Sequence, residues 1–285
     1  MIKRIFCAAA LIALALFTWW VLWFMVMGAL TTETELRATI GPALLTEPAG
    51  QSFWTVLPSW PTLQPLVQLL LDTPLFFTMF WNACQLAFPQ ILGQVAVAVP
   101  AAWVFSKLPF PGRRALYTVY LLLMILPFQI TMVPNYLVLD RLSLMDTPGA
   151  VILPGIFSTF PVFITKKAFD AVPVSLLEAA AIDGAGPLRI FVRIGLPLGL
   201  PGVLSAVVLD FIEAWNAIEQ PMMFLKDRNN WPLSLYLSNI TAADLGPAMV
   251  ASLMMLAPPL LLFLAGETYL EQGIGLSALS SKDDG

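Results

Sequence analysis

EAAAIDGAGPLRIFVRIGLP, residues Glu178–Pro197, places four charged side chains, Glu178, Asp183, Arg189 and Arg193, in the middle of a very apolar chain. Of 285 residues, 59% are hydrophobic and only 11% are charged, and the mean hydropathy is +0.82. A soluble domain carries about 25% charged residues. The deficit marks an all-α integral membrane protein with several spans. The quoted stretch must then lie outside the hydrocarbon, and its position relative to the spans decides the topology.

A span needs about 20 mostly apolar residues. Six segments qualify, at 5–30, 74–105, 115–137, 150–165, 198–217 and 246–266. The second is long enough to tilt or protrude. The first follows Lys3 and Arg4 as a signal peptide would, but its apolar run exceeds the ~7–15 residues of a signal h-region. It reads as an uncleaved first span in a single transmembrane domain covering 1–285.

Lys and Arg set the orientation. With the N-terminus inside, the cytoplasmic side holds Lys3, Arg4, Lys107, Arg113, Arg114, Lys166, Lys167, Arg189, Arg193 and Lys282. The outside holds Arg37, Arg141, Lys226 and Arg228. Both termini are therefore expected in the cytoplasm. Trp54, Trp60 and Trp231 fall in outer loops, where interfacial aromatics are common. The segment near Thr31–Asp72, with Pro48, Pro58, Pro61 and Pro65, is a long outer loop, and the longest cytoplasmic connection runs from 166 to 197.

Within that connection, Ser175 stands three residues before Glu178, the pattern of a capping box. A helix over about Leu176–Asp183 is expected, ended by Gly184 as a left-handed C-cap. A second helix over about Pro187–Ile194 begins at a tolerated proline and stops at Leu196-Pro197. The product is a small-residue elbow carrying apolar Ile182, Leu188, Ile190 and Phe191. From the residues alone, a docking element and a connector lying on lipid headgroups stand level.

The spacing of Glu178-Ala179-Ala180, Gly184, Ile194 and Leu196-Pro197 resembles the EAA loop of permease subunits of ATP-binding-cassette importers, at seven fixed positions over 20 residues. "AIDGAG" at 181–186 is similar to the carbohydrate-importer branch. "LPFPGR" (108–113), "MILPFQITMVPNYLVL" (124–139) and "FIEAWNAIEQPMMFLKD" (211–227) resemble its second turn, third span and fifth-span end. The resemblance runs from about Asn82 to Gly275 and is closest to the smaller, six-span permease of maltose-type and glycerol-phosphate-type importers. It implies a type I importer fold on a bacterial cytoplasmic (inner) membrane, and no catalysis in this chain. It also implies a coupling helix in which Glu178, Ala179, Ala180, Asp183, Gly184, Ile194, Leu196 and Pro197 seat against a cytoplasmic ATPase. The implied partners are an ATP-binding subunit dimer that holds ATP and Mg, a second homologous permease in a heterodimer, an extracytoplasmic solute-binding protein and membrane lipids. The tail "GIGLSALSSKDDG" departs from the family's usual ending, so a tail contact with the ATPase does not carry over.

Ionisable and amide residues inside spans are candidates for a translocation path. Asp210, Glu213 and Asn216 recur at steps of three, within about 120° of one helix face, with Trp215 pointing away. Asn82, Gln85, Gln90 and Gln94 on the second span and Gln129, Thr131 and Asn135 on the third add amides and a hydroxyl suited to sugars. Gln90 and Gln94 read better as interhelical hydrogen bonds. Carboxylates at 210 and 213 are not what the family pattern asks for, whereas Trp215 and Asn216 match it.

Other functions are narrowed by absences. The chain has no His, which removes imidazole from metal binding, nucleophile activation and proton relays. No metal site or catalytic residue is expected. Cys7 and Cys84 sit in apolar runs and read as small fillers. No basic patch suggests nucleic acid. An ion-gradient transporter would show inverted repeats with broken spans in both halves, and no such symmetry is visible. A membrane scaffold would explain a docking loop but not two carboxylates within a span.

Overall fold

The computed structural model describes residues 2–44, 56–238 and 244–280, so Pro48, Trp54 and Lys282 lie outside the described residues. Every regular element among the described residues is helical. The chain divides into two compact units, Met1–Phe80 with Leu233–Pro258, and Trp81–Pro232 with Pro259–Gly285.

In the first unit, α1 (Ile2–Ala29) presents apolar side chains outward along almost its whole length, Leu11, Phe17 and Trp19 among them. The loop after it is not extended. It holds α2 (Glu33–Thr39), α3 (Gly41–Leu44) and α4 (Gln64–Leu71), with Leu36 and Leu69 buried, as are Leu233 and Leu235 of α14 (Leu233–Leu237) in the same unit. Phe76 meets Tyr236 edge-on at 6.4 Å. Glu35 accepts from Ser59 N (3.0 Å) and Ser59 Oγ (2.9 Å), and Trp23 Nε1 donates to Val56 O. These bonds fold the polar backbone of the loop onto its own helices, as a segment near a membrane surface requires.

The second unit carries most of α5 (Pro74–Lys107), whose 34 residues extend about 51 Å, far beyond a ~30 Å hydrocarbon layer. The expected third span, 115–137, is not one helix. It is α6 (Arg113–Ile125) and α7 (Phe128–Arg141), bent by 101°. The cause is local. Pro127 excludes the α conformation at the residue before it. Leu126 is accordingly extended, with ψ 121°, and Pro127 becomes the N-cap of α7. The fourth span, expected at 150–165, runs from Pro148 to Asp170 as α8 (Pro148–Ile156) and α9 (Phe160–Asp170). Lys166 and Lys167 therefore lie on a helix rather than in a loop.

The fifth span lengthens at its start. It begins at Pro187 as α11 (Pro187–Ile190), passes through a π-helical turn at Phe191–Gly195, and continues as α12 (Leu196–Trp215). The sixth lies in α15 (Leu245–Ser280). α12 packs against α9, and the π turn before it against α5, through small residues. A Cβ on Gly195 would overlap the Trp103 ring, one on Gly199 the Phe169 ring, and one on Gly202 the Ala168 Cβ. In hydrocarbon, where lipid tails are as apolar as side chains, such close backbone approach is a main source of helix association. Polar residues complete the seam. Gln94 Nε2 donates to Gly155 O at 2.9 Å, as its interhelical reading expects, Gln90 packs against Gly155, and Ser205 Oγ donates to the Tyr269 carbonyl at 2.7 Å.

Candidate functional site

The elbow is built by α10 (Val174–Ile182), a glycine turn and α11. Its first helix begins earlier than the capping pattern suggests. Pro173 is the N-cap and makes no side-chain cap, so Ser175 lies inside the first turn and no capping box forms. Pro173, with its ψ of 129°, already supplies the extended entry that a hydroxyl cap would otherwise support. The exit is as expected. Gly184 has φ 82°, its N–H reaches Ala181 O at 3.0 Å, and Ala185 N reaches Ala180 O at 2.9 Å. That pair of bonds is a Schellman closure, and it needs a residue that tolerates positive φ at 184.

Leu196-Pro197 does not stop the helix, contrary to expectation. The Leu196 N–H bonds to Phe191 O, five residues back, and the wider turn lets the chain carry Pro197 without ending. The second arm of the elbow, α11, is thus the first part of the fifth span itself. An aromatic cluster holds its root. Trp103 of α5 meets Phe169 of α9 edge-on at 5.2 Å and Phe191 of the π turn at 5.4 Å, and Phe169 lies 6.3 Å from Phe191. Leu177, Ile190 and Leu196 pack against the same core.

Beside this cluster lies a polar knot that sequence reading missed. Asp170 pairs with Lys166 Nζ at 2.7 Å and accepts from Ser106 Oγ at 2.7 Å. Lys107 Nζ donates to Val172 O at 2.7 Å, and Lys166 sits 4.8 Å above the Tyr117 ring. The knot ties the ends of α5, α6 and α9 together directly below the elbow. Its only sequence signal is the i, i+4 spacing of Lys166 and Asp170.

Beyond the root, the elbow is bare. No residue of α10 or α11 is buried, and Ile182 and Leu188 are 86% and 74% exposed. Glu178, Ala179, Asp183 and Gly184 all face outward, Ala180 is half-buried, and Ile194 and Leu196 turn partly inward while Pro197 is exposed. Gly184, Pro187, Leu188, Arg189, Val192 and Arg193 line a shallow open concavity. The arrangement has no reactive group. What it can do is present a fixed apolar surface and pass a displacement into α12.

The other candidate residues are dispersed. Asp210 is buried, 3% exposed, and its Oδ1 has no hydrogen-bond partner, while Glu213 and Asn216 are exposed. The three therefore do not share one environment. Asn216 Nδ2 turns back to Ile212 O. Trp215 is buried and stacks on Phe211 at 5.5 Å, away from Glu213. Gln129 Nε2 donates to both oxygens of Glu219, at 2.9 and 3.1 Å, a partner that sequence reading did not select. Glu219 stands on α13 (Glu219–Phe224), just past the end of α12.

Asn82 is committed to structure. Its Nδ2 bonds the carbonyls of Asn229 and Trp231. That loop is itself clasped by Asp146, a residue at φ 61° whose Oδ1 accepts from Lys226 N (2.8 Å) and Asp227 N (2.9 Å). The Asp227 and Lys226 amides, with Asn230, hold the Asp146 carboxyl below the usual carboxylate range. Trp231 Nε1 donates to Leu225 O, and Arg228 lies 5.5 Å over the Trp231 ring. Among the described residues no cluster of ligating side chains suits a metal ion.

Comparison with known proteins places this architecture. Residues 94–275 match the family described as binding-protein-dependent transport system inner membrane component. A probable ABC transporter permease of Pyrococcus horikoshii is 32% identical over 198 residues, covering 68% of this chain and 72% of that one. The lactose transport system permease protein of Rhizobium radiobacter is 28% identical and covers 93% and 91%. The sn-glycerol-3-phosphate transport system permease protein of Pectobacterium atrosepticum is 29% identical and covers 71% and 74%. A crystal structure of a bacterial ABC transporter involved in the import of the acidic polysaccharide alginate shares the fold, with a TM-score of 0.76 over 94% of this chain and 96% of that one, at 22% identity. The all-helical, multi-span architecture, the elbow set into the fifth span and the match over most of the length agree: the chain belongs to the family of inner membrane components of binding-protein-dependent transport systems.

Proposed function

We propose that this chain is the permease subunit of an ATP-driven, binding-protein-dependent importer, that its cargo is a sugar or sugar derivative, and that the elbow is its coupling element. The observation that carries this reading is an elbow bare at its tip and locked at its root. A connector lying on lipid would have no need of the Trp103–Phe169–Phe191 cluster. Membership of the transport family removes the scaffold and the ion-gradient carrier as alternatives.

The mechanism follows from the geometry. A cytoplasmic ATP-binding subunit seats on Ala179, Ala180 and the apolar residues around them, with Glu178 and Asp183 available to basic groups of that subunit. ATP and Mg act there and not in this chain. When two such subunits close on ATP, the elbow moves with them. Because α11, the π turn and α12 form one helix, the displacement enters the fifth span directly. The equilibrium between inward- and outward-facing arrangements shifts by the difference in docking energy between them. A second homologous permease completes the pathway, and a solute-binding protein delivers cargo to the outer face. Both termini lie in the cytoplasm. Glu213, Asn216 and the Gln129–Glu219 pair are the exposed polar groups placed to meet hydroxyls along the path, and Asp210 and Trp215 back them from within.

The test is copurification of the chain with its nucleotide-binding subunit, followed by replacement of Gly184 with Val and of Glu178 with Ala. The expected result is weakened assembly and loss of ATP-dependent sugar uptake by membrane vesicles. Unchanged assembly and unchanged uptake in both variants would sink the coupling assignment.

A further inference from the structure

Pro197 poses a physical problem that the elbow solves. In an unbroken α-helix its ring would meet the carbonyl of Arg193, and its missing N–H would leave that carbonyl without a partner. The helix nevertheless runs on from Pro187 to Trp215. The turn just before the proline is π-helical, Phe191–Gly195, with the Leu196 N–H bonded to Phe191 O. A π turn carries one residue more than the α-helix it interrupts. At about 100° and 1.5 Å per residue, that extra residue sets how the helix before it is rotated relative to the helix after it.

Both flanks of the turn are fixed by packing. On one side Phe191 lies against Trp103 and Phe169, and on the other Gly195 and Gly199 are filled by those same two rings. The exposed positions agree with the phase. Leu188 and Leu200 both face outward, and with one residue taken up by the extra turn they stand within about 20° of one helix face rather than about 120° apart.

We infer that Pro197 is a positioning residue that fixes the rotational register between elbow and span. It holds the π turn, and the π turn aims Ile182, Leu188 and Val192 at the surface on which the partner docks. This rests on the coupling role proposed above. Proline is needed at 197 because any residue with an N–H permits the ordinary α register, in which the elbow turns by about 100° relative to α12. The partner would then meet a different face of the elbow while the chain kept its helices.

The experiment reads the register and the coupling separately. Nitroxide labels are placed at Leu188→Cys and Leu200→Cys in a chain carrying Cys7→Ser and Cys84→Ser, and their separation is measured by pulsed electron resonance on the full chain in lipid nanodiscs. Pro197→Ala is expected to lengthen the separation by roughly 5 Å, as two side chains leave a common helix face. In the complete importer it is expected to cut the stimulation of MgATP hydrolysis by the solute-binding protein by ~10-fold, the scale of a lost coupling between sites. Pro197→Ala combined with deletion of Val192 removes the extra residue as well as the proline. It is expected to restore both the original separation and the stimulated hydrolysis, which a generally damaged helix would not do. An unchanged separation in Pro197→Ala overturns the inference, and so does a double variant that recovers neither readout. If the wild-type chain fails to bind the ATPase at all, the docking role fails, while the label distances still decide what Pro197 does.

Discussion

The two ends of the fifth span are held by different forces. At the elbow end, rings fill glycine slots, Trp103 over Gly195 and Phe169 over Gly199, with the Asp170–Lys166 pair set beside them. At the far end the loop after α13 has one apolar anchor, Leu225 buried with Leu86 and Val151 beside Trp231, but no ring-in-glycine slot among the described residues. Its backbone is instead tied by the Asp146 carboxylate, by Asn82 and by Asn230. A ring in a slot resists displacement in every direction and is indifferent to pH. A carboxylate holding two amides is directional and titrates. The contrast fits the coupling role proposed above for the elbow end.

The sharpest way to break the contrast is to empty or overfill a slot. Trp103→Ala, or Gly199→Leu against Phe169, is expected to cost about 3 kcal/mol. Thermal unfolding in detergent should show it as the largest fall in midpoint of any variant described here. A fall no larger than that from a far-end substitution would mean that the slots are not what holds the elbow.

Gly184→Val probes the elbow tip alone. Forcing a β-branched side chain to φ 82° costs about 1–2 kcal/mol. Since nothing lies within 4 Å of a Cβ at that position, the cost should stay local. Proteolysis at 183–187 should accelerate while the global midpoint moves little.

The far end should respond to acid through Asp146. Asp146 has a folded-state pKa below its ordinary 3.8, through the Asp227 N–H first and the Lys226 N–H and Asn230 after it. A depressed carboxyl contributes stability that is fully present above the ordinary value and is lost as pH falls through the folded value. Amide exchange at 226 and 227, corrected for its intrinsic rate, should therefore speed up below pH 3.8. In Asp146→Ala it should be fast at neutral pH already. Protection that persists in Asp146→Ala would remove the clasp from the comparison.

The smallest effect is expected at Gln129→Ala. Its bond to Glu219 is exposed, so the loss should be about 0.5 kcal/mol or less, while the half-saturating sugar concentration for uptake rises. A change in stability with none in uptake would place the pair in the scaffold rather than the path.

Much of this was legible in the sequence because it is written in local rules. The apolar lengths mark the spans, and Gly184 marks the turn, since so few residues accept its backbone. Where two local rules compete, sequence reading chose the wrong one. Ser175 looks like a cap, but Pro173 begins the helix two residues earlier. Leu196-Pro197 looks like a stop, but a π turn absorbs the proline and the helix runs on past Trp103 and Phe169. At Leu126-Pro127, where Leu126 is extended, the proline does break a span. The Asp170 knot and the Gln129–Glu219 pair join residues up to 90 positions apart, and no periodicity reports such a partner. The Gly195-x-x-x-Gly199 spacing was a usable signal for close helix packing and was not read.

The bareness of the elbow tip has an evolutionary consequence. With no buried residue in α10, most substitutions there should change stability by about 0.5 kcal/mol or less. The docking face proposed above can therefore drift almost freely, provided that the glycine turn and the rings at its root persist. A cell with several such importers could diversify this surface to keep their ATPases apart, or hold it constant so that one ATPase serves many, without redesigning a single span.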